Sequence, residues 1–247
     1  MEHVLVLGAT SAVATEAARL YSARGARLHL VGRDATKLAA VAEACRATTV
    51  TTRTADFALL DGAEAVIAEA FAALEDRVDI VLVAHGDLGD QLASERSFDD
   101  AAPILTVNFT SVVALLVPIA NRMEAARYGR IAVIGSVAGD RGRPRNYTYG
   151  AAKGALRIYL QGLRSRLYPA GVQVTTVKLG PVDSPMTRYH AKNVLFARPD
   201  SVAAALVAAV DAGANEVYVP WFWRLIMPAV RRAPERLFQR LGFLSGR

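Results

Sequence analysis

The sequence predicts a three-layer α/β/α protein, a doubly wound parallel sheet of about seven strands with helices on both faces. Three observations carry this. Short apolar runs such as Val4-Leu5-Val6-Leu7 alternate with longer helical stretches from the start of the chain to about Pro220. Joining strands through helices of ten or more residues forces a crossover, and crossovers make parallel neighbours. No Pro/Gly/Ser-rich linker, internal repeat or shift in composition interrupts the series, so residues 1–220 read as one domain and 221–247 as an extension.

In order, residues 4–7 form a buried strand, and a turn at Gly8 leads to a helix over 12–24. A strand over 27–31, a helix over 35–46 and a β-branched strand over 48–54 follow. A helix over 61–74, a strand over 79–83 and a long helix within 100–127 continue the alternation. The last elements are a strand over 131–134, a helix over 149–167, a strand over 172–177, a helix over 201–212 and a short strand over 217–219.

Composition narrows the function classes. Residues are 53% hydrophobic and 21% charged, which is ample for a folded core and argues against disorder. Cys45 is the single cysteine, so there is neither an internal disulfide nor a cysteine-based zinc cluster, and no metal site is expected. No basic leader with a cleavage site opens the chain, and no uninterrupted apolar run reaches the ~18 residues of a membrane span. The expected location is cytoplasmic. Nearly all of the +6 net charge sits in the tail, where six arginines from Arg224 to Arg247 face Glu235 alone. The basic balance therefore does not predict nucleic-acid binding.

Gly8-Ala9-Thr10-Ser11-Ala12-Val13-Ala14 stands where the first strand gives way to a helix. Unpaired N–H groups and the positive end of the helix dipole favour a pyrophosphate there. Small side chains admit the ligand, and Thr10 and Ser11 bring hydroxyls. The same residues would also make an ordinary tight turn. After the second strand come Gly32-Arg33-Asp34. Arg33 matches the 2′-phosphate of NADP, where an NAD site carries a carboxylate. The alternative is a solvated Arg33 beside Asp34 capping the next helix.

Tyr149 and Lys153 lie four residues apart on a helix, hence on one face. Gly150, Ala151, Ala152, Gly154 and Ala155 around them are small, so a ligand and a neighbouring helix can approach. A free phenol titrates near 10, too high for acid–base work at neutral pH, and a fixed cation would lower it. By itself such a pair is equally a surface i,i+4 contact. Ser136 closes the fifth strand thirteen residues before Tyr149. Strand ends of a parallel sheet deliver their residues to the ligand crevice, so Ser136 joins the Gly8 turn there.

With the Gly8 turn, Asp56 after the third strand, Asn108 in Val107-Asn108-Phe109, Ser136, the Tyr149/Lys153 pair and Leu179-Gly180-Pro181-Val182-Asp183-Ser184, the chain resembles the short-chain dehydrogenases/reductases to about Pro220. The resemblance implies a Rossmann-type fold and a nicotinamide-dependent exchange between ketone and alcohol. It implies Tyr149 as proton donor and Ser136 as hydrogen-bond donor to the substrate oxygen. Lys153 would hold the nicotinamide ribose and depress the Tyr149 pKa, and Asn108 would anchor a proton-relay water. Gly8, Thr10, Ser11, Ala12 and Val13 would cradle the phosphates, with Arg33 selecting NADP(H) over NAD(H). Asp56 would meet the adenine, and Gly180, Val182 and Ser184 would hold the carboxamide. The helices ending near Arg127 and beginning at Tyr149 would form a homodimer or homotetramer.

The chain departs from the family pattern in places. Ala12 and Ala14 replace two glycines. Val83-Ala84-His85-Gly86 stands where Asn-Asn-Ala-Gly is usual, so Ala84, His85 and Gly86 line the cofactor channel, unless His85 is a structural histidine. His3, His29 and His190 show no metal-ligand spacing. Residues 185–198, with Met186, Tyr189, Leu195 and Phe196, are expected to cover a hydrophobic substrate.

The tail combines Trp221-Phe222-Trp223 with arginines, and Leu237, Phe238, Leu241 and Leu244 fit one helical face. This reads either as an interfacial membrane helix, giving peripheral contact at the inner membrane face, or as a tail folded over a subunit. It also looks like bacterial reductases of lipid-linked keto-sugars, such as the decaprenyl-phosphoryl 2-keto-pentose reductases, which suggests a lipid-linked carbonyl substrate. Two other classes stay open, a non-catalytic dinucleotide sensor or scaffold and a membrane-surface interaction protein.

Overall fold

The computed structural model describes residues 1–45, 49–59, 61–189 and 191–240. Seven parallel strands stand in the order β3-β2-β1-β4-β5-β6-β7. They are β1 (His3–Leu7), β2 (Arg27–Gly32), β3 (Val50–Thr54), β4 (Ile80–Val83), β5 (Arg130–Ser136), β6 (Gln173–Leu179) and β7 (Glu216–Val219). The order reverses between β1 and β4, which opens a crevice beyond the strand ends at that point. The predicted fold class holds, with ends shifted by a few residues. The start of the predicted third strand and the end of the predicted second helix fall partly outside the described residues.

Each sheet face is covered by helices. Val4, Val6, Leu28, Leu30 and Val177 meet α1 (Ala12–Ala23), α2 (Ala35–Ala44) and α8 (Pro199–Asp211) on one side. On the other, Leu5, Leu7, Val81, Val83, Ile131 and Val133 meet α3 (Ala63–Ala73), α6 (Ser111–Ala126) and α7 (Tyr147–Leu167). Alternate residues of a strand face opposite ways, so near-continuous apolar runs fill both layers. A short α4 (Gln91–Ser94) and α5 (Phe98–Leu105) precede α6.

The single long helix expected within 100–127 is interrupted. A π-helical turn over Thr106–Thr110 separates α5 from α6, and Asn108 sits inside it, fully buried. Such turns insert an extra residue and re-aim side chains, frequently at functional sites. The stretch Phe98–Ala126 is long and apolar enough to cross a membrane by length and composition, although polar residues break it up. Here it is a core element, burying Val112, Leu115, Leu116, Ile119 and Met123 against the sheet.

The tail folds back on its own subunit. In α9 (Trp223–Arg232) and α10 (Glu235–Arg240), Trp223, Met227, Val230 and Phe238 pack with Val137. Arg141 clamps them by donating to the carbonyls of Val230, Arg231 and Ala233 and to Glu235. Phe238 is buried and Leu237 exposed, so these two do not share a face; Leu241 and Leu244 lie outside the described residues.

Candidate active site

The first turn is shaped by one glycine. Gly8 has φ +83°, and a Cβ there would lie 2.5 Å from the backbone nitrogen of His85. Only glycine lets the β1 end approach the segment after β4 so closely. Ser11 caps α1, its Oγ accepting from Ala14 N at 3.2 Å. The N–H groups of Ala12 and Val13 are left without an internal acceptor among the described residues. Ala14 is fully buried in the core, so a methyl group fits where a glycine is usual. Thr10 stands beside Gly32, where an added Cβ would lie 3.4 Å from Thr10 Cγ2.

Arg33 is exposed at the end of β2 and makes no ion pair among the described residues. Asp34 is spent as the cap of α2, accepting from Lys37 N at 3.0 Å. Asp56 is exposed after β3 and accepts from Ala58 N at 2.9 Å. The strand order places Arg33 and Asp56 on one side of the Gly8 turn and Ser136 on the other. From β2 to β5 this row spans three strand spacings, about 14 Å, which suits an elongated ligand.

Ala84, His85 and Gly86 follow β4. Ala84 is buried and its N–H bonds Leu7 O at 2.8 Å. The His85 ring stacks on Phe57 with centroids 4.4 Å apart, and its Nε2 lies 3.0 Å from Ser111 Oγ. Its partner is thus a hydroxyl rather than the backbone carbonyls anticipated for a structural histidine. At Gly86 a Cβ would lie 2.8 Å from Asn108 Oδ1 and 3.5 Å from Lys153 Nζ, so three site residues converge there. Asn108 Nδ2 donates to Asp87 O at 2.6 Å and Ile104 O at 2.8 Å, while Oδ1 accepts from Asp87 N at 3.2 Å. Its side chain braces the loop after β4.

Burial holds His85 and His29 neutral, with pKa values pushed down to about 3 and about 4. Unfolded imidazoles titrate near 6.5, so above that pH neither ring affects stability. As pH falls from 6.5 to about 4 the unfolded chain gains these protons and the native protein does not. Stability is lost by roughly 1.4 kcal/mol per pH unit per ring. Urea unfolding at pH 7, 6 and 5 should show this slope, reduced in His29→Gln; identical wild-type and variant slopes would contradict it.

Ser136, Tyr149 and Lys153 meet above β5. A 3-10 turn over Val137–Asp140 follows Ser136, whose Oγ accepts from Ala138 N at 3.1 Å. That turn packs on α7 through glycines. A Cβ on Gly139 would lie 2.6 Å from the Lys153 backbone, and one on Gly150 would lie 2.9 Å from Ala138 O. The small residues around Tyr149 therefore admit a turn, where the sequence suggested a helix. The Ser136 hydroxyl is near enough to act on the Tyr149 phenol, and Lys153 Nζ lies 5.7 Å from the Tyr149 ring centroid.

Burial pushes Tyr149 up to about 12, and Ser136 pulls in the other direction. Lys153 is buried, pushed down to about 8, and its Nζ donates to Ile134 O at 3.2 Å. Desolvation disfavours the charged form of each group, which raises the phenol and lowers the ammonium.

After β6, a Cβ at Gly180 would lie 2.0 Å from Trp223 Nε1. Val182 is buried and bridges Ala197, and Ser184 N donates to Thr187 Oγ1 at 3.2 Å. Of the apolar groups expected to cover a ligand, Tyr189 is 86% exposed, Met186 and Leu195 are also exposed, and Phe196 is half-buried. His190 lies outside the described residues.

Sequence reasoning missed a polar cluster behind Ser136. Lys178 Nζ donates to Asp140 Oδ1 at 2.8 Å and to Tyr218 Oη at 3.1 Å and pairs with Glu216 at 2.7 Å. Tyr218 Oη donates to Asp140 Oδ2 at 2.6 Å. A lone charge in an otherwise uncharged strand segment, Val174 to Leu179, was the available signal, since a buried charge requires a partner.

A doubly wound sheet with this cluster at its strand ends defines a dinucleotide-fold oxidoreductase, and comparison with known proteins agrees. The short chain dehydrogenase family model matches residues 2–194. An uncharacterized oxidoreductase of Streptomyces coelicolor is 38% identical over 96% of this chain and 95% of its own. One from Mycobacterium tuberculosis is 32% identical over 96% of both. Among solved structures, a short-chain dehydrogenase from Sphingobium yanoikuyae in complex with NADPH superposes with a TM-score of 0.82. It shares 24% identity and covers 98% of this chain and 96% of that one. An actinorhodin polyketide ketoreductase with NADPH gives 0.79 at 23% identity, covering 90% and 96%. The chain belongs to the short-chain dehydrogenase family and is an oxidoreductase of that family.

Proposed function

We propose that the protein interconverts a ketone and a secondary alcohol with a nicotinamide dinucleotide, preferring NADP(H) to NAD(H). The observation that carries this reading is the meeting of Ser136, Tyr149 and Lys153 at the end of β5. The residues present fit the cofactor. Gly8 lets the first turn pack against the segment after β4, Ala12 and Val13 offer N–H groups without an acceptor among the described residues, and buried Lys153 has no carboxylate partner among them. When bound, the dinucleotide supplies or accepts the hydride.

Tyr149 then donates its proton to the carbonyl oxygen, and Ser136 donates a hydrogen bond to the same atom. Lys153 holds ribose hydroxyls and stabilises the phenolate. Asn108 keeps the π turn open beside Lys153 and anchors the water that relays protons outward. Gly180, Val182 and Ser184 hold the carboxamide, and Asp56 meets the adenine. The substrate is a small or lipid-linked carbonyl compound, and Val117 and Ile158, exposed on α6 and α7, mark the faces of a homo-oligomer.

Arg33→Ala is expected to weaken NADPH binding by roughly tenfold to a hundredfold and leave NADH unchanged, because a charged hydrogen bond to the 2′-phosphate is lost. Fluorescence titration with both cofactors reads this; unchanged affinity for both removes the NADP preference. A membrane-facing use of the tail is favoured by Trp221, just before α9, and by Arg224 and Leu225 in its first turn, all of them exposed. Equal sedimentation with anionic liposomes by Trp221→Ala/Leu225→Ala and wild type would dismiss it.

A further inference from the structure

Arg143 lies in the loop joining Ser136 to Tyr149, and its guanidinium makes no ion pair among the described residues. Its Nη2 meets Met227 Sδ at 3.7 Å, a weak acceptor, and its Nε is buried without any. The nearby charges are already engaged. Asp140 gives both oxygens to Lys178 and Tyr218, and Glu235 takes Arg141. One turn before Met227 on α9, Trp223 is 6% exposed and its Nε1–H also lacks an acceptor.

That indole nitrogen lies against Gly180. Gly180 follows Lys178 by two residues, so both face the side of the sheet that carries residues 137–140 and α7. One unmet donor, Trp223 Nε1–H, thus lies beside the loop bearing Gly180, and the other, the charged Arg143, packs from the loop after Ser136 on Met227, one turn further along α9.

We propose that these two donors bind an anionic group of the substrate, a carboxylate or a phosphate ester, with Arg143 as the charged contact and Trp223 as the second donor. The proposal rests on the oxidoreductase reading and adds the class of its substrate. A guanidinium edge withdrawn from water without an acceptor is costly, and a bound anion supplies both the missing hydrogen bond and a closer counter-charge. Burial lowers the Arg143 pKa, and Asp140 offsets this in part.

The chain has two tryptophans, so Trp221→Phe makes Trp223 the sole indole reporter. This protein, saturated with NADP⁺, is titrated with methyl phosphate and with acetate. A saturable change in emission is expected for at least one. In Arg143→Gln the affinity should fall roughly tenfold to a hundredfold, with partial recovery in Arg143→Lys and none lost in Arg145→Gln. Tighter binding of methyl phosphate assigns a phosphate ester, and tighter binding of acetate a carboxylate. No saturable change with either anion, or the same affinity in Arg143→Gln, overturns the proposal. The titration needs no turnover, whereas failure of the oxidoreductase reading would appear separately as no NADPH consumption with any ketone.

Discussion

Tyr149→Phe is expected to reduce ketone turnover by about 10²- to 10⁴-fold, the usual contribution of a positioned acid–base group. The variant loses one oxygen and keeps the ring. NADPH affinity should stay within about twofold and the melting temperature should hold, because the phenol oxygen makes no hydrogen bond that braces the fold among the described residues. The loss should fall on kcat rather than KM, since the proton moves only in the transition state. Steady-state kinetics with any accepted ketone, alongside a cofactor titration, checks this. A loss confined to a raised KM would mean that Tyr149 holds substrate without transferring a proton.

Lys178→Met is expected to cost about 3–5 kcal/mol of stability, as breaking a buried ion pair does. The side chains of Lys178 and Asp140 are 1% and 0% exposed, so removing the ammonium strands a carboxylate away from water. Arg157 stands 4.0 Å from Asp140 and compensates little. Lys178→Met with Asp140→Asn should recover more than half of the loss, because the stranded charge is gone. Urea unfolding of both variants reads the difference; a double variant no more stable than the single one would rule out the pair as the cause. The same cluster anchors the turn that follows Ser136, so the single variant should also lose turnover.

Both predictions rest on residues that differ in how openly the sequence displays them. Tyr149, Lys153 and Ser136 were legible because a four-residue spacing on a helix and a strand end are local facts. The alternation of strands and helices was legible for the same reason. Lys178, Asp140, Arg143 and Trp223 were not, since their roles depend on which loops the sheet order brings together. Trp223 reaches Gly180 across 43 positions of chain, and no local pattern records that. The π turn at Asn108 was also hidden, because one extra residue within a helix leaves the apolar pattern nearly intact. The effect of burial on the phenol was hidden for a related reason. Spacing shows that a cation is near, while desolvation depends on everything packed around it.

In its described residues, 221–240, the tail follows the reading of a segment folded over a subunit. Its inner face, Trp223, Met227, Val230 and Phe238, is packed on the subunit. Its outer face remains basic and partly apolar, as the sequence indicated.

The central claim is that a phenol and a buried ammonium act as one proton-transfer unit, and the pH dependence of kcat/KM for ketone reduction tests it most directly. Reduction requires a protonated Tyr149, present up to about 12, and a charged Lys153, present only below about 8. The rate is therefore predicted to be level through neutral pH and to fall above about 8 as Lys153 loses its proton. A rate that stays level to about pH 10, where a free lysine would still be charged, would contradict it.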